Sequence, residues 1–346
     1  MDRILLEDFE SFSKSLDREA LKGAGILITG ATGLVGSFIT RSLYYASEKY
    51  GMGLKLYALV RSEAKARDVL AEAADGVKIV TGDISQPLSL DFDIDYIIHC
   101  AAVTNSKQMV TYPAENILTS VEGTRNILEL AREKAVKGMV YLSSMEVYGA
   151  VSGEKRTAEG DYGYVDPLRV RSCHPEGKRM AECLCSAYQH EYGVPVCIAR
   201  LAQCFGAGVL KSETRVFFQF ARSLMEKKDI VLHTTGESVG NYCYLAEAAE
   251  AIVFLLTHGE SAQAYNVVNE SSCMAIRDMA ALVADMSGGE ISVVFDIPED
   301  ANKFGYAPPT QLRLSGEKLA RLGWQAKTGL KEAFERMIGY MRSWEQ

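Results

Sequence analysis

ILITGATGLVGSF, residues 26–38, decides the fold. Its opening, ILITG (26–30), is a short apolar run that reads as a buried strand. Gly30, Gly33 and Gly36 then follow at three-residue intervals and lead into the helical stretch GLVGSFITRSLYYASEKYG. Glycine at the first position permits a tight turn. At the second it lets backbone approach a pyrophosphate, and at the third it lets the helix pack on the strand. Free N–H groups at the start of that helix meet the anion. A glycine triplet alone is a weak signal. Between a strand and a helix it marks a dinucleotide site, in which Thr32 and Leu34 are also candidate contacts.

Outward from this loop the same rhythm repeats. LKLYALV (54–60), VKIVTGD (77–83), DYIIHCAA (95–102), KGMVYLSS (137–144) and VPVCIARLA (194–202) read as strands. Between them lie helical stretches, one opening at Pro113 and another at Pro175 with a stop at Gly193. Buried strands alternating with helices give an α/β fold, a Rossmann-type doubly wound parallel sheet covered on both faces. After about residue 205 the segments become longer and mixed, which suggests a smaller α+β lobe for the second ligand. The expected division is a helical leader over 1–24, a dinucleotide-binding domain over 25–204, and a substrate lobe over 205–346 interwoven with it.

The second strand ends LVRS. An acidic side chain there would accept from the adenosine ribose hydroxyls. Arg61 cannot, but it can pair with a 2′-phosphate, helped by Ser62, so NADP is favoured over NAD.

The 346 residues are 48% hydrophobic and 24% charged, with a net charge of −8, which argues against non-specific nucleic-acid binding. No apolar run approaches the ~18 residues of a membrane span, and no signal peptide is visible at the start, so a cytoplasmic location is expected. The eight cysteines form no CxxC pair and read as buried, reduced thiols. His190, His233 and His258 have no metal-ligand spacing, so no metal is expected, and His99 reads as a packed sheet residue.

Further stretches carry a resemblance. They are TGATGLVG (29–36), GDI (82–84), HCAA (99–102), SSMEVYG (143–149), KRMAE (178–182), RLAQCFGAG (200–208) and YCYLAEAAEAI (242–252). From about residue 24 the chain resembles the extended short-chain dehydrogenase/reductases, the NAD(P)-dependent epimerase/dehydratase group that modifies nucleotide sugars. The resemblance implies that Asp83 and Ile84 lie at the adenine and Ala101 and Ala102 beside the cofactor. It makes Ser144 the hydroxyl residue at the sugar C4 oxygen and Lys178 the lysine on the nicotinamide ribose. Glu146 matches a glutamate of dehydratases and UDP-glucuronate decarboxylases. Met145 stands where dehydratases carry an acid, which counts against 4,6-dehydration. Gln203 takes the place of a substrate-binding asparagine. Gly240 stands where relatives often have an arginine on the nucleotide diphosphate. Relatives dimerise through helices equivalent to 113–136 and 175–192, so a homodimer is implied.

The sharpest departure is His174, which stands in SCHPEGK where relatives carry the catalytic tyrosine. A phenol has an ordinary pKa near ~10 and an imidazole near ~6.5. Beside Lys178 a charged imidazole is disfavoured by like-charge repulsion. A neutral one has one donor and one acceptor and can take a proton from a sugar hydroxyl. Three functions stay open at this point. The first is an epimerase or decarboxylase-like enzyme with His174 as base, the second a weak or inactive binder of cofactor and sugar nucleotide, and the third an NADPH-dependent 4-keto sugar reductase.

Overall fold

A computed structural model describes residues 2–151, 153, 155–297 and 310–345. The apolar runs become parallel strands β1 (Gly25–Thr29), β2 (Lys55–Val60), β3 (Lys78–Thr81), β4 (Tyr96–His99), β5 (Gly138–Ser144) and β6 (Val196–Leu201). A later strand, β10 (Ala264–Val267), joins them beside β6 to give a seven-stranded sheet ordered β10-β6-β5-β4-β1-β2-β3. All five residues of β1 are buried, because helices cover both faces of the sheet. The strand order reverses between β1 and β4, and the crevice at such a reversal is where open α/β sheets hold ligands.

The covering helices follow their caps. Helix α3 (Leu34–Tyr50) stops at Gly51, whose φ of 59° is the left-handed conformation that glycine adopts most cheaply. Helix α6 (Pro113–Glu133) starts on its proline, as expected. Helix α7 (Cys173–Tyr192) starts two residues before Pro175. The proline is accommodated in the first turn, where N–H groups have no helical partner. Helices α6 and α7 pack against each other beside β5.

The first segment is built into the core. Helix α1 (Arg3–Ser15) and the short α2 (Arg18–Leu21) bury Leu5, Phe9, Phe12 and Leu21. Asp8 of α1 accepts from Tyr244 Oη at 2.6 Å and from Arg336 Nη2 at 2.7 Å. Burial pushes its carboxyl up to about 6, against the pull of those two partners.

Beyond β6 the chain builds two small sheets. Strands β7 (Gln203–Phe205), β9 (Val239–Tyr244) and β11 (Asn269–Ala275) form one, and β8 (Ile230–Leu232) with β12 (Val293–Phe295) forms the other. Helix α9 (Leu245–His258) packs back onto β5 and β6 of the main sheet. All eight cysteines are free thiols. The expectation that all are buried fails at Cys183, which is exposed, and at Cys100 and Cys273, which are half-buried, whereas Cys185 is buried. Two residues along a helix turn the side chain to the opposite face.

Candidate active site

The residues singled out in the sequence collect along the carboxyl edge of the main sheet. Gly30 follows β1, Arg61 follows β2, Asp83 lies just past β3, and Cys100 to Ala102 follow β4. Ser144 ends β5, and Gln203 opens β7 two residues past the end of β6.

The three glycines have different duties. Gly30 has a φ of 64°, and a Cβ there would lie 2.8 Å from the backbone of Ala101. A Cβ on Gly36 would lie 2.4 Å from the Gly30 carbonyl oxygen. The fold itself therefore requires both. Gly33 is exposed, and a Cβ there would meet only the Gly30 oxygen, at 3.3 Å. It precedes α3 with no side-chain cap, so the first-turn N–H groups remain for a ligand. This backbone cradle fits a dinucleotide pyrophosphate. Thr32 and Leu34 are half-buried beside it.

The floor of the loop is fixed from below. Thr29 Oγ1 accepts from Ala101 N at 3.1 Å and is bonded to His99 Nδ1 at 2.7 Å. Burial pushes His99 down to about 3, so it is a neutral packed residue. Ala102 is half-buried beside this contact.

Past β2, Arg61 and Ser62 are exposed. Ser62 also caps α4 (Glu63–Leu70), accepting from Lys65 N at 3.3 Å. Asp83 is exposed and accepts from Ser85 N at 2.9 Å, which with a smaller pull from Arg61 lowers its pKa. Ile84 is buried, with its carbonyl already taken by Asn126 Nδ2 at 2.8 Å.

Ser144, Glu146, His174 and Lys178 gather on α7 and on the turn after β5. Lys178 is 4% exposed and donates to the Leu142 carbonyl at 2.6 Å, with its ammonium 4.6 Å from the centre of the Tyr141 ring. Burial pushes it down to about 8, and Glu182 opposes that shift. One turn earlier, His174 is 5% exposed, and its buried Nδ1 has no hydrogen-bond partner among the described residues. Burial pushes this imidazole down to about 4. Glu146 opposes the shift, and Lys178 and Arg171 add to it. The sequence reading expected a neutral imidazole because of Lys178. Removal of the ring from water is the larger cause.

Ser144 Oγ accepts from Glu146 N at 3.2 Å and so starts a single 3-10 turn over Met145–Tyr148. Met145 is half-buried against the core. Glu146 accepts from Arg171 Nη2 at 2.9 Å. Gln203 is half-buried and pairs with Tyr242 of β9. Gly240 lies in β9, where a Cβ would come within 2.7 Å of Tyr242 Oη.

Two features escaped the sequence reading. The first is Arg171 and its ion pair with Glu146. The second is Arg200, which is 1% exposed and pairs with Glu182 through contacts of 3.0 and 2.7 Å. Ser143 Oγ donates to the same carboxylate at 2.5 Å. Arg200 Nη1 also reaches Tyr148 Oη at 3.1 Å and the Glu159 carbonyl at 2.7 Å. An arginine inside an apolar strand needs a buried partner, so RLAQ was itself a signal for this network.

A sequence profile described as the NAD dependent epimerase/dehydratase family matches residues 26–269. UDP-glucuronic acid decarboxylase 1 of Xenopus tropicalis is 27% identical over 322 residues, covering 92% of this chain and 72% of that one. dTDP-D-glucose 4,6-dehydratase of Bos taurus is 25% identical over 328 residues, covering 92% and 88%. Among solved structures, UDP-N-acetylglucosamine 4-epimerase from Methanobrevibacter ruminantium superposes with a TM-score of 0.78 at 16% identity, covering 93% of this chain and 99% of that one. dTDP-glucose 4,6-dehydratase from Streptomyces venezuelae, solved with NAD bound, gives 0.76 at 20% identity, covering 92% and 97%. The structural matches speak for the fold, and the profile covers most of the sheet and its glycine loop. The chain belongs to the NAD dependent epimerase/dehydratase family.

Proposed function

We propose that this chain binds a nicotinamide dinucleotide and a nucleotide sugar, and oxidises the sugar transiently at C4 as an epimerase or decarboxylase does. The observation that carries this reading is His174. Its imidazole is buried, keeps a nitrogen with no partner among the described residues, and stands one turn before a buried lysine and within the field of Glu146. The names of the curated relatives, decarboxylases and a dehydratase of nucleotide sugars, support the substrate class.

A dinucleotide held at the glycine loop would supply the hydride acceptor for C4. The remaining work falls to side chains. Neutral His174 takes the proton of the C4 hydroxyl, and the carboxylate of Glu146 steadies the imidazolium that results. Ser144 orients the same oxygen. Lys178, charged below about pH 8, holds the ribose hydroxyls of the dinucleotide. Met145 offers no proton to a leaving group, and Glu146 matches a glutamate that dehydratases and decarboxylases share. Arg61 supports NADP over NAD. Exposed Ile117 and Leu118 on α6 and Met180 on α7 support a homodimer through those helices.

A second reading, binding without turnover, is favoured by one observation. An imidazole held near 4 rather than 6.5 resists protonation by about 3 kcal/mol. The test is to incubate the protein with NAD or NADP and a panel of UDP- and dTDP-sugars. Products are read by mass and NMR, and reduced nicotinamide by absorbance. A new sugar with the cofactor recycled supports the proposal. In a second arm that supplies NADPH and a 4-keto sugar nucleotide, stoichiometric consumption of NADPH indicates a 4-keto sugar reductase instead. Tight binding with no product favours the second reading.

A further inference from the structure

Arg171 lies in the 3-10 turn Val170–Ser172 that leads into α7, three residues before His174. Its Nη2 donates to Glu146. Its Nη1 is buried and has no partner among the described residues, and the same holds for His174 Nδ1. Two buried polar atoms, on side chains three residues apart that both interact with Glu146, therefore lack a partner among the described residues. A buried donor without a partner typically costs about 1–3 kcal/mol, so groups of this kind are expected where a ligand completes them. The Arg171 and Glu146 side chains are 38% and 37% exposed, so solvent, and with it a ligand, reaches the pair.

The charge of the cluster says what that ligand brings. Arg171 and Lys178 are cationic, Glu146 is anionic and His174 is neutral, which leaves one positive charge unbalanced. A guanidinium keeps its charge at every working pH, and its planar fork matches a carboxylate. A second carboxylate is tolerable beside Glu146 only with a cation between them. The cluster contains the residues assigned to the sugar C4 oxygen, which sets the anion at the reacting end and not at the diphosphate. Gly240 adds no cation of its own.

We infer that Arg171 receives the carboxylate of a uronic-acid sugar nucleotide and bridges it to Glu146. This deepens the nucleotide-sugar reading above and rests on it. Arg171 is then the residue that separates a uronate from the corresponding neutral hexose.

The test is calorimetric titration of the full, dinucleotide-loaded chain with UDP-glucuronate, UDP-glucose and UDP, and with the dTDP forms. Arg171→Gln is expected to weaken uronate binding tenfold or more, and to leave the hexose and the bare nucleotide within twofold. Arg171→Lys is expected to recover part of the loss. An equal loss on all three ligands overturns the inference, because it gives Arg171 a structural role or one at the diphosphate. Unchanged uronate binding overturns it too. If Arg171→Gln does not fold, Glu146→Gln decides. It removes the competing anion and frees Nη2, so the preference for uronate over hexose should rise, and a fall refutes the bridge. A parent that binds the hexose nucleotide but not the uronate leaves the nucleotide-sugar reading standing and sinks the inference. A parent that binds none of them sinks both.

Discussion

At pH 5.5 an ordinary imidazole, with a pKa near ~6.5, is about one-tenth neutral. A catalytic base that must be neutral would therefore lose about tenfold in rate between pH 7.5 and 5.5. His174 is held at about 4, so at pH 5.5 it stays almost wholly neutral and the loss should be only a few per cent. The two outcomes differ by about 1.4 kcal/mol of apparent barrier, well within measurement. The quantity to follow is kcat/KM, which reports groups of the free enzyme. It is read from the appearance of reduced nicotinamide or product between pH 4.5 and 9. A flat profile from 7.5 to 5.5 is expected, with a fall above about 8 as Lys178 loses its charge. His174→Phe should lose on the order of 10²–10⁴ in rate. A tenfold drop following a single group near 6.5 refutes the buried imidazole. A wild-type rate in His174→Phe removes His174 from the chemistry. If no substrate turns over, NMR titration of the imidazole reads the same pKa. Acid instability should not confound this window. His99 and His174 refuse protons in the fold, so they withdraw stability as pH falls from about 6.5 towards 4. Asp8 at about 6 and Glu250 at about 7 bind protons more readily in the fold than in the open chain, so over the same range they return it.

Glu250→Gln removes a carboxylate that burial holds at about 7, so it should stabilise by about 1–2 kcal/mol above pH 7 after allowance for water at its open edge. The gain should have nearly vanished by pH 4, where the glutamate is mostly neutral in both states, and thermal melts at the two pH values check this. Gly33→Val should fold, because only the Gly30 oxygen lies near, yet lose dinucleotide binding by calorimetry, whereas Gly36→Val should lower the melting temperature or fail to fold. In the same titrations a tenfold preference of the parent for NAD would sink the reading of Arg61.

The sheet was legible because its strands are continuous apolar runs buried on both faces, as the five-residue β1 illustrates. Strands β7, β9 and β11 were not. NESSCMA has no apolar period, and it is a strand only because β9 runs beside it. The cofactor loop was readable in sequence, since two of its glycines answer to backbone contacts and the third to open space. The Arg171–Glu146 pair was not, because 25 residues of chain separate partners that the turn after β5 and the start of α7 bring together. Spacing in sequence carries no trace of such a contact. Arg200 with Glu182 was closer to view, since both lie in stretches already singled out and a charge in an apolar strand demands a partner.

Replacing a phenol by an imidazole inverts the electrostatics of the site. A phenol becomes a base by losing a proton, so a neighbouring lysine charge favours its active form and works against the cost of burial. An imidazole becomes charged by gaining a proton. Burial and Lys178 then act in the same direction, and both hold His174 neutral. The one group that acts the other way is Glu146, whose influence is second only to burial itself. On the reading that His174 is the base, its useful partner therefore lies on the turn after β5 and not on α7. Arg171 tempers that partner by holding its carboxylate at 2.9 Å. Whatever draws Arg171 away from Glu146 leaves the carboxylate freer to support an imidazolium. A uronate carboxylate that shares the Arg171 guanidinium with Glu146 would loosen that hold at the moment it binds, and would raise the proton affinity of His174 only when a substrate hydroxyl is present to give up its proton.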